Sequence, residues 1–300
     1  MTWRSVVIAN PATLRFRGQR LVIEQPPDEV AVPLEDIAVL VLESREVFLT
    51  SRLLSECMEA GVTVLTVGAD HHPNGALLPF SPHSRALKML NRQMSVSMPL
   101  RKRLWQGIVR QKIQNQARCL DLTEKPEAGV LRTLALQVKS GDPQNLEAVA
   151  ARRYFVALFG KGFRRSQEGL INSALNYGYA VLRASLARSL TSYGFLPVIG
   201  LHHSNEQNAF NLADDLLEPF RPLVDLYVAQ CVEGSDNDLT PILKANLVRL
   251  LHHDISINGE GHAVLAAIDA CVVSLGQCLD QGSAKIKLPI LQAIREHGRE

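Results

Sequence analysis

Between residues 77 and 84 the chain reads LLPFSPHS, with two prolines and no apolar period, and the hydrophobic pattern differs on its two sides. On the N-terminal side, residues 4–8, 13–16, 20–24, 37–42 and 62–67 are short runs rich in Val, Ile and Leu. Asn10-Pro11, Gly18, Pro26-Pro27 and Gly61 fall between them, so each run reads as a strand bounded by turn or loop signals. One helix interrupts the strands. Thr50 or Ser51 can cap it, Leu53, Leu54, Cys57 and Met58 recur at helical spacing, and Gly61 can stop it, which suits a helix covering one sheet face. On the C-terminal side the period becomes helical. Residues 85–96 and 100–122 are basic amphipathic segments, and Leu104, Ile108, Lys112, Ile113 and Ala117 share the spacing of the second. Asp142-Pro143 reads as a helix start and Gly160 as its stop. A long helix is expected over 168–192, before Gly194, with Ser173, Ala174, Gly178, Ala180, Ala184 and Ser185 small enough for close helix packing; more are expected over 240–253, 261–280 and 284–296. The expected fold is α+β: a small N-terminal β-rich domain, residues 1–80, followed by a larger all-α domain, residues 81–300.

A chain of 300 residues with 46% hydrophobic content has ample material for a packed core. The start MTWRSVVIAN has no charged segment followed by an apolar one, and no apolar run reaches the roughly 20 residues of a membrane span, so a soluble cytoplasmic protein is expected. Cys57, Cys119, Cys231, Cys271 and Cys278 form no CxxC pair and read as small buried hydrophobes in a reducing compartment, which argues against a thiolate zinc site. The net charge of +2 hides an asymmetry: from His71 to Leu120 there is no acid, while Arg85, Lys88, Arg92, Arg101, Lys102, Arg103, Arg110, Lys112 and Arg118 are all basic. A solvated helix face interleaves acids as i,i+4 partners, and this block does not, so a polyanion such as nucleic acid is the expected partner.

Residues 201–222, LHHSNEQNAFNLADDLLEPFRP, join two histidines to a short acidic helix that Phe210, Leu212, Ala213, Leu216 and Leu217 would bury and that Pro219 and Pro222 would end. Asp214 and Glu218 are four apart and Asp215 and Glu218 three apart, so the acids share a face. Imidazole plus carboxylate is a ligand set for a divalent metal; the plain alternative is an acidic surface helix behind a polar loop. Glu147 stands among Ala150, Ala151 and Tyr154, and a carboxylate in such company needs a partner, either a metal or an arginine such as Arg152 or Arg153. A glutamate, a histidine and a second carboxylate suit Mn²⁺ or Mg²⁺ better than zinc, and such an ion supports phosphoryl transfer. Lys161, Arg164 and Arg165, with Arg101, Lys102 and Arg103 of the acid-free block, are the candidate contacts to nucleic-acid phosphates. His202 and His203 point to opposite sides of an extended loop, so one of them binds. Asn205, Asn208 and Asn211 read as turn and cap residues. His71-His72, His252-His253, Trp3 and Trp105 receive no catalytic role, Pro73-Asn74-Gly75 reads as a turn, and the tryptophans read as core or interface.

The segments DIAVLVLES, GVTVLTV, HHPNGALLPF, KRLWQGIVRQKIQNQA, NLEAVAARRYF, NSALNYGYAVLRASLARSL and GLHHSNEQNAFNLADDLLEPFRP resemble the CRISPR-associated integrase (Cas-one) family along nearly the whole chain. The last three are the most specific. GLHH with EPFRP looks most like the subtype that travels with a single-protein RNA-guided effector nuclease, which stands as one possible partner. The resemblance implies a β-rich N-terminal domain and a helical catalytic domain that inserts short foreign DNA into a CRISPR array. Residue by residue, it implies that Glu147 in NLEAVAARRYF, His203 in GLHH and Glu218 in DLLEPFRP are the catalytic metal ligands for Mg²⁺ or Mn²⁺, with Asp215 assisting. Where many relatives carry Asp this chain has Glu218, which leaves the roles of Asp215 and Glu218 open. It also implies a homodimer, two of which flank a small ferredoxin-like partner in a heterohexamer, with double-stranded DNA as substrate. Two further readings share these residues: a structure-specific metal nuclease without integration, and a non-enzymatic DNA-binding scaffold.

Overall fold

The computed structural model describes residues 4–68, 73–79, 86–232 and 239–298. Trp3, His71, His72 and Arg85 lie outside the described residues, as does part of the 77–84 stretch. The N-terminal part comprises β1 (Arg4–Ile8), β2 (Ala12–Arg17), β3 (Arg20–Gln25), β4 (Asp28–Pro33), β5 (Ile37–Leu42), β6 (Val47–Leu49), α1 (Ser51–Glu59), β7 (Thr63–Val67) and β8 (Pro73–Leu77). The remainder comprises α2 (Ala86–Ser95), α3 (Met98–Leu122), α4 (Ala128–Gln137), α5 (Leu146–Phe159), α6 (Leu170–Ser192), α7 (Asn211–Leu217), α8 (Arg221–Cys231), α9 (Pro241–Arg249), β9 (His253–Ile257), β10 (Glu260–Ala263), α10 (Val264–Gln281) and β11 (Ile290–Glu296). This is the expected α+β order, a β-rich part and then a helical one.

Strands β1–β8 form two four-stranded sheets, β1-β5-β7-β8 and β4-β3-β2-β6. In the first, β1, β5 and β7 run parallel, and β5 reads IAVLVL without alternation because both its faces are covered. Ile37 and Leu40 enter a small core with Leu14, Leu21, Leu53 and Cys57, while Val39 and Val41 join the large helical core with Leu65. Thr50 caps α1 by accepting from Leu53 N at 3.2 Å. Pro73-Asn74-Gly75, expected as a turn, opens β8, an edge strand antiparallel to β7, where a leading proline leaves no ladder donor missing.

The spine of the helical part is α6, which touches α7, α8, α9 and α10 as well as β7 and β8. Its small residues serve close packing: a Cβ on Gly178 would come within 2.5 Å of Val224 on α8. A buried ion pair, Lys244 to Glu43, and Arg188 Nε donating to Gly61 O at 2.7 Å fasten this part to the first sheet. By length and composition α10 could cross a membrane, but it packs on α6 and buries Val264, Ile268, Cys271, Val272 and Leu275.

Three local expectations change. Residues 284–296 form no helix; β11 pairs with β9, which also pairs with β10, in a three-stranded antiparallel sheet, because cross-strand pairing outweighs the helix propensity of LQAIRE. The helix over 240–253 stops at Arg249, with His253 opening β9. Asp142 caps α5 from a distance, accepting from Leu146 N and Glu147 N at 2.9 and 3.0 Å, so the helix begins at Leu146 and not at Pro143. Among the cysteines, Cys231 is exposed and the other four are buried.

Candidate active site

Asp215 is the hub of the GLHH loop. Its carboxylate is fully buried; Oδ2 accepts from Leu201 N and His202 N at 2.6 and 3.1 Å, and Oδ1 from His203 N at 3.1 Å. The fourth partner is His203 Nδ1, at 2.7 Å. A carboxylate only accepts, so Nδ1 carries the proton and Nε2 is left as the free ring nitrogen. The hydrogen bond to Asp215 raises the imidazole pKa above its ordinary value, and the charges of Glu218 and Glu147 act the same way from nearby. Gly200 is required by contact: a Cβ there would meet His203 O at 2.2 Å and Asp215 Oδ2 at 2.9 Å. Trp105, on α3, completes the support. Its indole stacks on His202 at 4.2 Å, nearly parallel, and meets the His203 ring edge-on at 5.6 Å.

Glu147 sits in the first turn of α5, and Glu218 follows α7 directly. The partner of Glu147 is neither of the nearby arginines: Arg153 pairs with Glu127, and Lys112 of α3 reaches Glu147 Oε1 at 2.6 Å. The same ammonium touches Glu218 Oε2 without a directed hydrogen bond, and Arg221 Nε lies 3.0 Å from Glu218 Oε1. Burial pushes the Glu218 carboxyl up, but the charges of Arg221 and Lys112 outweigh it and hold the group at about 2. Burial lowers the Lys112 pKa less than Glu218 and Glu147 raise it, so the ammonium stays charged.

The three acids of ADDLLE therefore serve three separate sets of partners. Asp215 takes His203, Glu218 takes Lys112 and Arg221, and Asp214 takes Asn208 Nδ2 at 2.7 Å, with Arg183 at 3.9 Å. Pro222 opens α8 and does not end α7. Asn205, Asn208 and Asn211 bond one another and the loop backbone, as turn residues should.

A cavity of 280 Å³ lined by Arg165, Arg183, Arg221, Asn176, Tyr179 and Asp214 among others adjoins Glu218 through Arg221, its ion-pair partner, and Leu217, while Glu147, His203, Glu218 and Lys112 do not line it. The guanidiniums of Arg221 and Arg165 lie over the Tyr179 ring at 4.6 and 5.4 Å. Tyr179 donates its hydroxyl to the buried Asp225, which also accepts from Tyr154 at 2.9 Å; burial pushes the Asp225 carboxyl up to about 6. A larger open groove of 1030 Å³ over β9, β10 and β11 shares no residue with this site.

Of the expected residues, Glu147 of α5 and Glu218, just after α7, meet at Lys112, while Asp215 of α7 holds His203, whose ring lies near enough to feel the charges of both glutamates. Among the described residues no three His, Cys, Asp or Glu side chains are drawn tightly enough to hold a metal ion as they stand, since Lys112 is wedged between the two carboxylates. The donor chemistry still fits a divalent ion: two carboxylates, one of whose buried oxygens lacks a directed hydrogen bond, and an imidazole with its outer nitrogen free.

The basic candidates divide. Arg165 faces the cavity, Lys161 and Arg164 are exposed on the loop after α5, and Arg101, Lys102 and Arg103 lie within the first two turns of α3. Arg92 and Arg110 of the acid-free block are engaged internally, with Asp280 at 2.6 Å and Val138 O at 2.8 Å. His252 and His253 contact Ser5 Oγ and Arg249 O. Sequence reasoning missed Lys112, Trp105, Gly200, Tyr179, Arg183 and Arg221 as site residues; the one available signal was a lysine at an apolar helical position of α3.

The family model of CRISPR associated protein Cas1 matches residues 6–239. The CRISPR-associated endonuclease Cas1 of Neisseria meningitidis serogroup C (strain 8013) is 47% identical over 304 aligned residues, covering 100% of both chains. An endonuclease Cas1 of Thermus thermophilus is 29% identical, covering 72% of this chain and 71% of its own. Among solved structures, a casposase bound to integration product superposes with a TM-score of 0.77 at 21% identity, covering 100% of this chain and 96% of that one. A Cas1 protein from Thermotoga maritima gives 0.75 at 18% identity, covering 95% and 99%. A chain of a Cas6-RT-Cas1–Cas2 complex gives 0.73 at 18% identity, covering 98% of this chain and 36% of its own. By the family match over most of its length and the full-length identity to the Neisseria protein, this chain belongs to the CRISPR-associated Cas1 family.

Proposed function

We propose that this chain is a metal-dependent DNA endonuclease and integrase of spacer acquisition, joining a short captured DNA to a CRISPR repeat. The observation that carries this is the meeting of Glu147, Glu218 and the Asp215-oriented His203 beside a cavity lined by Arg165, Arg183 and Arg221. Carboxylates beside converging arginines have the make-up of a phosphodiester site. Glu147, Glu218 and His203 Nε2 would hold Mg²⁺ or Mn²⁺, which when bound polarises the phosphate and steadies charge on the attacking and leaving oxygens. The chain's own part is positional. Asp215 keeps the proton on Nδ1, so Nε2 stays available; Trp105 fixes the plane of the loop; and the arginines seat phosphate oxygens with their forked donors. In the reaction the 3′-oxygen of the captured strand forms a bond to a repeat phosphorus as the bond from that phosphorus to the repeat's own 3′-oxygen breaks. The strand end thus released takes the proton.

The casposase of the same fold, caught with an integration product, supports transfer over plain hydrolysis, and the Cas6-RT-Cas1–Cas2 complex supports a partner protein; in this reading that partner is small and ferredoxin-like and sits between two homodimers. Acting on a CRISPR array, the protein would operate in the cytoplasm. Residues 1–80 would then serve assembly, and 81–300 catalysis. The test is joining of a short duplex to repeat DNA by purified protein, with and without that partner, in Mn²⁺, Mg²⁺ or chelator. Joined product that chelator, Glu147→Ala and His203→Ala each abolish is expected. Cleavage without joining would leave a nuclease, and joining at the wild-type rate by both variants would refute the site.

A further inference from the structure

Two carboxylates from different helices can share one divalent ion only if the space between them is free, and here Lys112 fills it. Its ammonium lies 2.6 Å from Glu147 Oε1 and touches Glu218 Oε2, and the side chain is only 10% exposed. The lysine stands on the core face of α3, with Ile108 and Ile113 fully buried beside it. Arg221 takes the other oxygen of Glu218 at 3.0 Å. Two carboxylates against two cations make a neutral set, and neutrality lets so enclosed a cluster persist without a metal. A divalent ion at the same oxygens would bring two further positive charges, with no anion of this set left to meet them. One cation has to leave. Arg221 is held in place, its guanidinium stacked on Tyr179 at 4.6 Å, whereas the Lys112 ammonium ends a flexible four-carbon stem.

We propose that Lys112 is the built-in counter-cation of the metal-free site: it holds Glu147 and Glu218 together, competes with the divalent ion for them, and when displaced gives its charge to a DNA phosphate. The proposal rests on the metal-site reading of the preceding subsection. It makes metal loading depend on substrate. Without DNA the displaced ammonium finds at the cavity that Arg221 lines only Asp214, already held by Asn208 and Arg183, and the ion binds weakly; with a DNA phosphate there it has a new anion, and the ion binds more tightly. Without DNA the cluster is thereby kept neutral and idle.

The test is a titration of the full-length protein with Mn²⁺, read by the paramagnetic resonance of the free ion at fixed pH and salt, together with thermal unfolding in chelator and in Mn²⁺. Lys112→Met is expected to bind Mn²⁺ about tenfold more tightly than wild type, to unfold at lower temperature in chelator, and to recover in Mn²⁺. Lys112→Arg keeps the cation, so it should hold its stability in chelator and bind Mn²⁺ no more tightly. A short DNA duplex should tighten Mn²⁺ binding to wild type several-fold, and to Lys112→Met far less. Equal or weaker Mn²⁺ binding by Lys112→Met, or a Lys112→Met chain that Mn²⁺ does not stabilise, overturns the proposal. Glu147→Gln and His203→Ala separate the two levels of inference. If both lose Mn²⁺ while Lys112→Met gains nothing, the metal site stands and the role of Lys112 falls. If both bind Mn²⁺ as wild type does, the site reading fails and the proposal with it.

Discussion

Replacing Asp215 tests the architecture of the site most directly, because two substitutions there should part stability from chemistry. Asp215→Ala removes the acceptor for three backbone N–H groups, of Leu201, His202 and His203, and for His203 Nδ1. Hydrogen bonds to a charged acceptor each contribute on the order of 1.5–3 kcal/mol, but water can reach part of this loop, so a net loss of about 3 kcal/mol is expected. For a chain of this size that is a fall of roughly 5 °C in unfolding temperature. Asp215→Asn keeps the volume and one oxygen. If that oxygen faces Leu201 and His202, the new NH₂ faces both His203 N–H, which loses its acceptor, and His203 Nδ1, which must then accept, so that the ring proton moves to Nε2. If the amide sits the other way, two backbone donors face a donor and the loop shifts. Either outcome withdraws Nε2 from a metal, and loss of such a supporting carboxylate typically costs 10–100-fold in metal affinity or activity. The assay is single-turnover DNA joining in Mn²⁺ beside thermal unfolding of both variants. Joining by Asp215→Asn within about twofold of wild type, or an unshifted unfolding temperature in Asp215→Ala, would refute the assignment of Asp215 as the residue that orients His203.

Other consequences are open to simpler measurements. Asp225, pushed up to about 6 from an ordinary 3.8, binds its proton more tightly folded than unfolded. Its contribution is therefore complete below about pH 4 and is lost as pH rises through about 6, on the order of 3 kcal/mol; denaturant melts across that window should show a decline that Asp225→Asn lacks. Gly178→Ala would press a methyl into Val224, and is expected to destabilise by about 1–3 kcal/mol, most of which Val224→Ala should relieve in the double variant. Trp105→Ala removes the wall behind both histidines and should unfold more easily by about 3–5 kcal/mol, while Trp105→Phe should keep the fold but lower joining. DNA affinity should fall with salt at a log–log slope of about −5 if roughly six phosphates are neutralised, and Arg183→Ala should lower that slope by about one.

Much of the fold was legible because periodicity is local. The runs at 4–8 and 37–42 and the long helix ending before Gly194 each carry their own pattern and stop signals, and the structure keeps them within a residue or two. Where the local signal misled, a distant partner decided. The LQAIRE stretch has helix-forming residues, yet it meets the exposed edge of β9 and becomes β11. Pro73-Asn74-Gly75 has turn residues, yet β7 takes it as an edge strand.

The site shows the same division. Sequence alone determined the chemistry on offer, a glutamate in apolar company, a histidine pair and an acidic helix, because side-chain type and helical spacing can be read from neighbours in the chain. It could not say which acid served which partner. Asp215 and Glu218 are three residues apart, but one faces the GLHH loop and the other faces α3, a difference set by the packing of α7 between them. Lys112 is the plainest case: 35 residues from Glu147 along the chain, it looks in sequence like one of nine basic residues awaiting DNA, and only the crossing of α3 with α5 and α7 turns its charge inward. An ion pair depends on distance in space, and that is settled only when helices far apart in sequence pack together.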